Sequence, residues 1–291
     1  MSDKVEDLIT TIPGYDPHAD AKGYAFDAAK AEAAINWFAE YITHAKGKLA
    51  GKPYTLEPHE RAIIANIFGW YDLKGNRRYR EVLYYVPRKN SKSTLVAAII
   101  LYILYTEDAP HGEIYGAAAA REQAALVFNI AKGMVLNNPE LARHATVQQK
   151  IIEVGTKVYK SISSDANTSH GYNTLCALID ELHVQKDREL VDVINTSTGA
   201  QAQPLVIYTT TADYCRESIC NEKHEYACKV RDGIISAPTF LPVIYEATLA
   251  DDWTDPEVWA QCNPMLGKVF DLDFLRKQYE EAKETPAYEN T

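Results

Sequence analysis

Short apolar runs alternate along this chain with longer segments whose apolar residues recur at three- and four-residue steps, the pattern of strands alternating with helices. Residues 82–86, 112–118, 175–179 and 205–209 read as buried strands. Residues 26–45 carry Ala31, Ala34, Ile35, Phe38, Tyr41 and Ile42 on one helical face. A second helix is expected after Glu57-Pro58, because proline suits a first helical turn and Ile63, Ile64, Ile67 and Phe68 supply an apolar stripe. Residues 93–105 predict a helix that is apolar on most faces, 121–137 one that stops before Pro139, and 190–198 a shorter one. Residues 151–159 read as a hairpin turning at Gly155-Thr156. Together these elements predict an α/β fold with a mostly parallel central sheet flanked by helices.

The two ends differ from this middle. Pro13, Gly14, Pro17 and Gly23 interrupt any periodicity, so residues 1–25 are expected to form a loosely packed arm ahead of a core spanning 26–240. Residues 241–291, an apolar stretch followed by helical segments, are expected to form a lid or linker subdomain. The acidic residues Asp251, Asp252, Asp255 and Glu257 read as loop and helix-capping groups beside Trp253 and Pro256.

Composition narrows the function classes. A net charge of −10 rules out an evenly basic surface and confines any nucleic-acid contact to a local patch or to another subunit. Five cysteines without paired C-x-x-C spacing favour a reduced, cytosolic setting and no zinc site. The N-terminus lacks an apolar signal core and no segment reaches the length of a membrane span, so no membrane partner is expected.

Candidate chemistry begins where the first strand ends. Pro87-Arg88-Lys89-Asn90-Ser91-Lys92-Ser93-Thr94 lies between the strand at 82–86 and the helix that follows. N–H groups at a helix start, reinforced by the helix dipole, hold anionic phosphates, while Lys92 reaches the outer phosphates and Ser93 ligates Mg²⁺. Against G-x-x-x-x-G-K-[ST], Val86 and Ser91 occupy the glycine positions, so taken alone the stretch also reads as a basic turn containing Lys-Ser. Downstream, the strand at 175–179 ends in Asp180 and Glu181. One carboxylate of such a pair steadies a metal and the other polarises an attacking nucleophile, although adjacent acids also serve as helix N-terminal residues. Both motifs in order, each at a strand end, point to a nucleoside triphosphatase.

With these motifs the chain resembles the ATPase domain of the large terminase subunit, the genome-packaging motor of tailed double-stranded DNA phages. The resemblance runs through 47–51, 77–80, 87–93, 180–183, 208–212, 263–267 and 286–290. It implies a P-loop NTPase of the additional-strand, catalytic-glutamate type that hydrolyses Mg-ATP in the host cytoplasm and drives double-stranded DNA into a procapsid. The implied partners are the portal protein, on which the subunit self-associates as a ring, and the small terminase subunit. By the same resemblance Lys92 contacts the β and γ phosphates, Ser93 and Asp180 hold Mg²⁺, Thr94 lies near the α-phosphate, Arg88 senses the γ-phosphate and Glu181 activates water. Pro87, Lys89, Asn90 and Ser91 complete the nucleotide loop, Thr209 and Thr210 form the coupling motif, and Glu60 falls in an adenine-side motif. The family's nuclease activity resides in a separate C-terminal domain; this chain ends at Thr291, about where that domain is expected to start, so a fragment without cleavage activity is expected.

Three positions depart from the family pattern. Ser91 replaces the glycine before the lysine, which removes a residue that readily adopts positive φ and predicts weaker nucleotide affinity. Glu60 stands where glutamine is usual, and a carboxylate lacks the amide's paired donor and acceptor. His170 stands where some relatives place a trans-acting arginine. These departures keep two other classes open: a degenerate nucleotide-binding or assembly module, and a helicase-like repair ATPase. Lys150, Lys157 and Lys160 at the hairpin read either as solvated edge charges or as DNA-phosphate contacts, and His183 either orients the site or caps the strand.

Overall fold

The structure, a computed structural model, describes residues 4–46, 49–163, 172–185, 188–214, 216–248 and 250–284. In chain order the elements are α1 (Val5–Leu8), β1 (Tyr24–Phe26), α2 (Ala28–Tyr41), α3 (Pro58–Gly69), β2 (Trp70–Asp72), β3 (Glu81–Tyr85), α4 (Lys92–Thr106), β4 (Glu113–Ala118), α5 (Arg121–Asn137) and α6 (Pro139–Arg143). There follow β5 (Ala145–Val147), β6 (Ile151–Val154), β7 (Lys157–Ser163), β8 (Thr174–Ile179), α7 (Glu189–Ser197), β9 (Leu205–Thr210), α8 (Ile219–Arg231), β10 (Phe240–Ile244), α9 (Pro256–Cys262) and α10 (Leu272–Glu284).

Eight strands form the central sheet in the order β10-β3-β9-β8-β4-β7-β6-β5. From β10 to β7 every pair is parallel; β6 and β5 extend the sheet as antiparallel strands through the predicted hairpin. β3, β8, β9 and β10 are buried along almost their whole length, as parallel strands covered on both faces must be. α4 buries Leu95 to Leu101, Ile103 and Leu104, each of the valine, leucine and isoleucine side chains stabilising the fold by about 1.5–3 kcal/mol. The topology matters for function because β9 is inserted between β3 and β8, the additional-strand arrangement expected from the resemblance. Three parallel strands thereby bring the segments after residues 85, 179 and 210 to one edge of the sheet.

Three expected boundaries are corrected. The first helix starts at Ala28, not 26, because the Asp27 side chain caps it by accepting from the Lys30 amide at 3.1 Å while Phe26 pairs with Trp70 in a two-stranded sheet. It stops at Tyr41, since Ile42 is extended and Thr43 bridges to Pro53. The boundary between 240 and 241 cuts β10, which pairs in register with β3 from Phe240↔Glu81 to Ile244↔Tyr85 and so belongs to the core sheet. Pro242 confines it to the sheet's edge.

The N-terminal segment is not loosely packed. Val5, Leu8, Ile9, Ile12 and Tyr15 are buried in the core, and the Tyr15 hydroxyl meets that of Tyr79 at 3.0 Å. Arg78, itself fully buried, donates to the carbonyls of Pro17 (2.6 Å), Asp20 (2.8 Å) and Pro238 (2.7 Å) and lies over the Trp70 ring. A buried guanidinium needs all its donors matched, and here the backbone of the first twenty residues supplies two of the three carbonyls.

Candidate active site

The loop after β3 turns on two residues in left-handed conformation, Lys89 (φ 69°) and Ser91 (φ 57°). Ser91 therefore adopts the backbone that a glycine would supply, at a cost of about 1–2 kcal/mol for a residue with a Cβ. Its carbonyl accepts from the amides of Thr94 (3.0 Å) and Leu95 (3.1 Å), which starts α4 immediately after the loop. Lys92 is buried, and its Nζ donates to Val86 O (2.9 Å) and Pro87 O (3.3 Å). Arg88 is exposed and, among the described residues, has no hydrogen-bond acceptor; the hydroxyls of Ser93 and Thr94, partly buried at the start of α4, likewise have no partner among them.

Asp180 and Glu181 follow β8 at the same sheet edge. Asp180 is 3% exposed, and both of its donors, Thr209 Oγ1 (2.5 Å) and the Glu181 amide (3.1 Å), go to Oδ1. Oδ2 accepts from no donor among the described residues, and a buried carboxylate with one oxygen uncommitted is an oxygen donor that fits Mg²⁺. Burial raises the Asp180 carboxyl above its ordinary range, with the Thr209 bond and the Lys92 charge opposing the shift. Burial lowers the Lys92 ammonium, while Glu181 and Asp180 act on it as nearby counter-charges. The lysine and both acids are thus near enough for their charges to act on one another.

Glu181 is also left-handed, at φ 52°, so three of the four non-glycine residues with positive φ among the described residues lie in these two motifs. Its Oε2 lies 3.3 Å from His183 Nδ1, which is 3.1 Å from Thr210 Oγ1; the His183 amide also donates to that hydroxyl at 3.3 Å. Burial lowers the His183 pKa, with Glu181 as the largest opposing influence. Thr210 in turn donates to Thr211 O at 2.8 Å. A continuous polar path therefore joins the end of β9 to the Glu181 carboxylate. The adjacency of positions 209 and 210 to the acid pair is invisible in the sequence, because it depends on β9 lying beside β8.

Other singled-out residues fall elsewhere. Glu60 sits in the first turn of α3, 1% exposed, with Oε1 accepting from the Tyr54 hydroxyl (2.5 Å) and Oε2 from the Glu57 amide (2.9 Å). Both oxygens are engaged within the chain as part of a capping box, and burial pushes the carboxyl up to about 7. Lys157 donates to Glu107 O (2.5 Å) and Lys160 pairs with Glu113 (2.7 Å), so two of the three hairpin lysines turn inward onto acceptors. Asp255 caps α9 through the Glu257 amide, and Asp251 and Asp252 accept from Thr248 and Thr254. His170, with the rest of 164–171, lies outside the described residues, as do Gly47, Lys48 and 286–290.

Asn90 has a role that sequence reasoning missed. Its Nδ2 donates to Asn263 Oδ1 (2.9 Å), and its Oδ1 accepts from the Met265 amide (3.0 Å), so the loop is tied to the segment after α9. The Asn-Pro pair that ends α9 is the one local hint of a special backbone there.

Residues 58–229 match the family model for the terminase large subunit, ATPase domain. The chain is 30% identical over 270 residues to the terminase large subunit of Enterobacteria phage HK97, an alignment covering 90% of this chain and 51% of that protein. The crystal structure of the HK97 bacteriophage large terminase is similar with a TM-score of 0.77 and 26% identity, over 90% of this chain and 53% of that one. The large terminase ATPase domain of Thermus phage P74-26 shares the fold, with a TM-score of 0.51 at 14% identity over 72% of this chain and 83% of that one. The chain spans about half the length of the HK97 protein it matches.

Proposed function

The chain belongs to the terminase large subunit ATPase family, and on that premise we propose that it hydrolyses Mg-ATP in the cleft between β3 and β8 to drive double-stranded DNA into a procapsid. One observation carries this reading: Lys92, Asp180 and Glu181 follow the same-side ends of the parallel strands β3 and β8, on either side of β9, with the lysine and both acids close enough to influence one another's charge.

In this reading the loop amides and Lys92 bind the phosphates, and exposed Arg88 meets the γ-phosphate with a permanent, planar charge. Ser93 and Asp180 would hold Mg²⁺, which when bound neutralises phosphate charge. Glu181, aimed by its contact with His183, takes the proton of the attacking water. Thr210 shares that histidine, so changes at the carboxylate reach β9 and the rest of the sheet. Pro87, Lys89, Asn90 and Thr94 shape the loop, and Glu60 acts by holding the start of α3 beside Tyr54. The motor works in the host cytoplasm as a ring on the portal protein, with the small terminase subunit delivering DNA. Ser91's left-handed backbone favours this over a degenerate binding module, because the turn that the glycine would make is retained.

Glu181→Gln tests it. Nucleotide binding is expected to persist while phosphate release, measured on the full-length subunit with portal, small subunit and DNA, falls at least about a hundredfold. Lys92→Ala is expected to lose binding itself. Turnover by Glu181→Gln at the wild-type rate would overturn the assignment.

A further inference from the structure

Away from this cleft, α8 presents His224 and Cys228 one turn apart, and the residue two past β10 is Glu246. One ligand-type atom from each lies within 4.8 Å of the others. Cys228 Sγ is 3.5 Å from His224 Nε2 and 3.7 Å from Glu246 Oε1. A tetrahedral ion bound at about 2.0 Å to nitrogen and oxygen and about 2.3 Å to sulfur sets such atoms roughly 3.3–3.7 Å apart, so both sulfur edges already have the required length. His224 Nε2 also lies 2.6 Å from the other carboxylate oxygen, Oε2, a hydrogen bond that ion binding would replace as the carboxylate presents a single oxygen to the ion.

We propose that His224, Cys228 and Glu246 form a binding site for a zinc-class divalent transition ion, with the fourth position open to water. Imidazole, thiolate and carboxylate together select zinc, cobalt or nickel over the hard magnesium ion. The side chains of His224 and Glu246 are 26% and 21% exposed, which leaves an entry path. Arg231 donates to Glu246 Oε1 at 2.9 Å and fixes the orientation of the carboxylate, as hydrogen-bonded partners of ligating carboxylates commonly do. On binding, the Cys228 thiol proton and the Nε2 proton that His224 shares with Glu246 both pass to solvent, and the thiolate and the freed imidazole nitrogen close the coordination. A count of cysteines alone misses this site, because it uses one cysteine and two other residue types from separate elements. The His224 ring stacks on Tyr85 at 4.4 Å, so the ion would pin α8 and β10 against the strand that leads into the phosphate loop.

The test is a titration of the reduced, chelator-treated 291-residue chain with Co²⁺. The expected result is the visible ligand-field spectrum of tetrahedral cobalt together with a near-ultraviolet thiolate-to-metal band, both abolished by equimolar Zn²⁺. Cys228→Ser is expected to lose the thiolate band and Glu246→Gln to weaken binding at least tenfold, whereas Cys262→Ser leaves both bands intact. Absence of a cobalt spectrum in the wild-type chain, which needs no variant to fold, overturns the proposal. So does a thiolate band that survives in Cys228→Ser with an unchanged circular dichroism melt.

Discussion

Thr209 donates a 2.5 Å hydrogen bond to Asp180, tying the end of one strand to the carboxylate that closes its neighbour. Both residues are buried, and the bond opposes the upward shift that burial imposes on the acid. Thr209→Val removes a bond to a charged group, worth about 1.5–3 kcal/mol, and leaves Asp180 harder to ionise. The Mg²⁺ concentration for half-maximal ATP turnover is expected to rise about tenfold or more, and the acid limb of the pH–rate profile to move to higher pH. Thr209→Ser is expected to restore both. An unchanged magnesium dependence in the valine variant would count against this role.

Ser91 carries a side chain on a backbone that favours glycine. Ser91→Gly is expected to relieve the conformation and raise stability by up to about 1 kcal/mol, the gain being reduced by glycine's extra freedom when unfolded. Ser91→Val, branched at Cβ, is expected to lower stability by more than about 1 kcal/mol. Chemical denaturation of the two variants checks the sign: equal midpoints would show that the turn is not strained.

Glu60 gives a defined pH signature. Its carboxyl titrates at about 7 when folded against an ordinary 4.5, so the folded chain binds the extra proton between these values. The stability this confers is present in full below pH 4.5 and is lost as pH rises through about 7. Relative to Glu60→Gln, which keeps a capping-box residue but does not titrate, the wild-type chain is expected to lose about 3 kcal/mol across that window. Urea unfolding of both proteins at a series of pH values measures it, and parallel curves would refute the shift.

Asn90 joins the loop after β3 to the Asn263–Met265 segment through side-chain bonds in both directions. Asn90→Ala leaves the Met265 amide without its acceptor, at a cost of about 1–3 kcal/mol. Hydrogen exchange at the Met265 amide is expected to quicken by roughly tenfold to a hundredfold, with β8 and β9 unaffected. Uniform acceleration across the sheet would mean global destabilisation instead.

The strands were legible because parallel strands buried on both faces are apolar throughout; Val82, Leu83 and Tyr84 have little alternative. That residues 87–94 and the Asp180-Glu181 pair follow strand ends was legible from the apolar runs before them. The misreading at the N-terminus has a specific cause. Val5, Leu8, Ile9 and Ile12 keep helical spacing, but Pro13, Gly14 and Pro17 outweigh so short a stripe, and its burial depends on α2 and α3 further along the chain, where Asn66 also donates to Ile9 O. Strand order was not locally encoded either. The contacts of Thr209 with Asp180 and of Thr210 with His183 arise only once β9 inserts beside β8. Ser91's φ was equally hidden, because sequence shows the missing glycine but not that serine would take its place in the left-handed region.

The chain beyond β10 is fastened twice to one short stretch: the Tyr245 amide bonds Tyr85 O at 2.8 Å, and the Met265 amide bonds Asn90. Residues 246–264 are therefore a closed excursion with both feet on the strand and loop that would meet nucleotide. The entropy of closing such a loop grows only logarithmically, about 0.6 kcal/mol for each doubling of length. Extra residues grafted between α9 and Tyr245 should thus enlarge the excursion without displacing either foot, making this stretch a tolerant place for a reporter or tag next to the loop after β3.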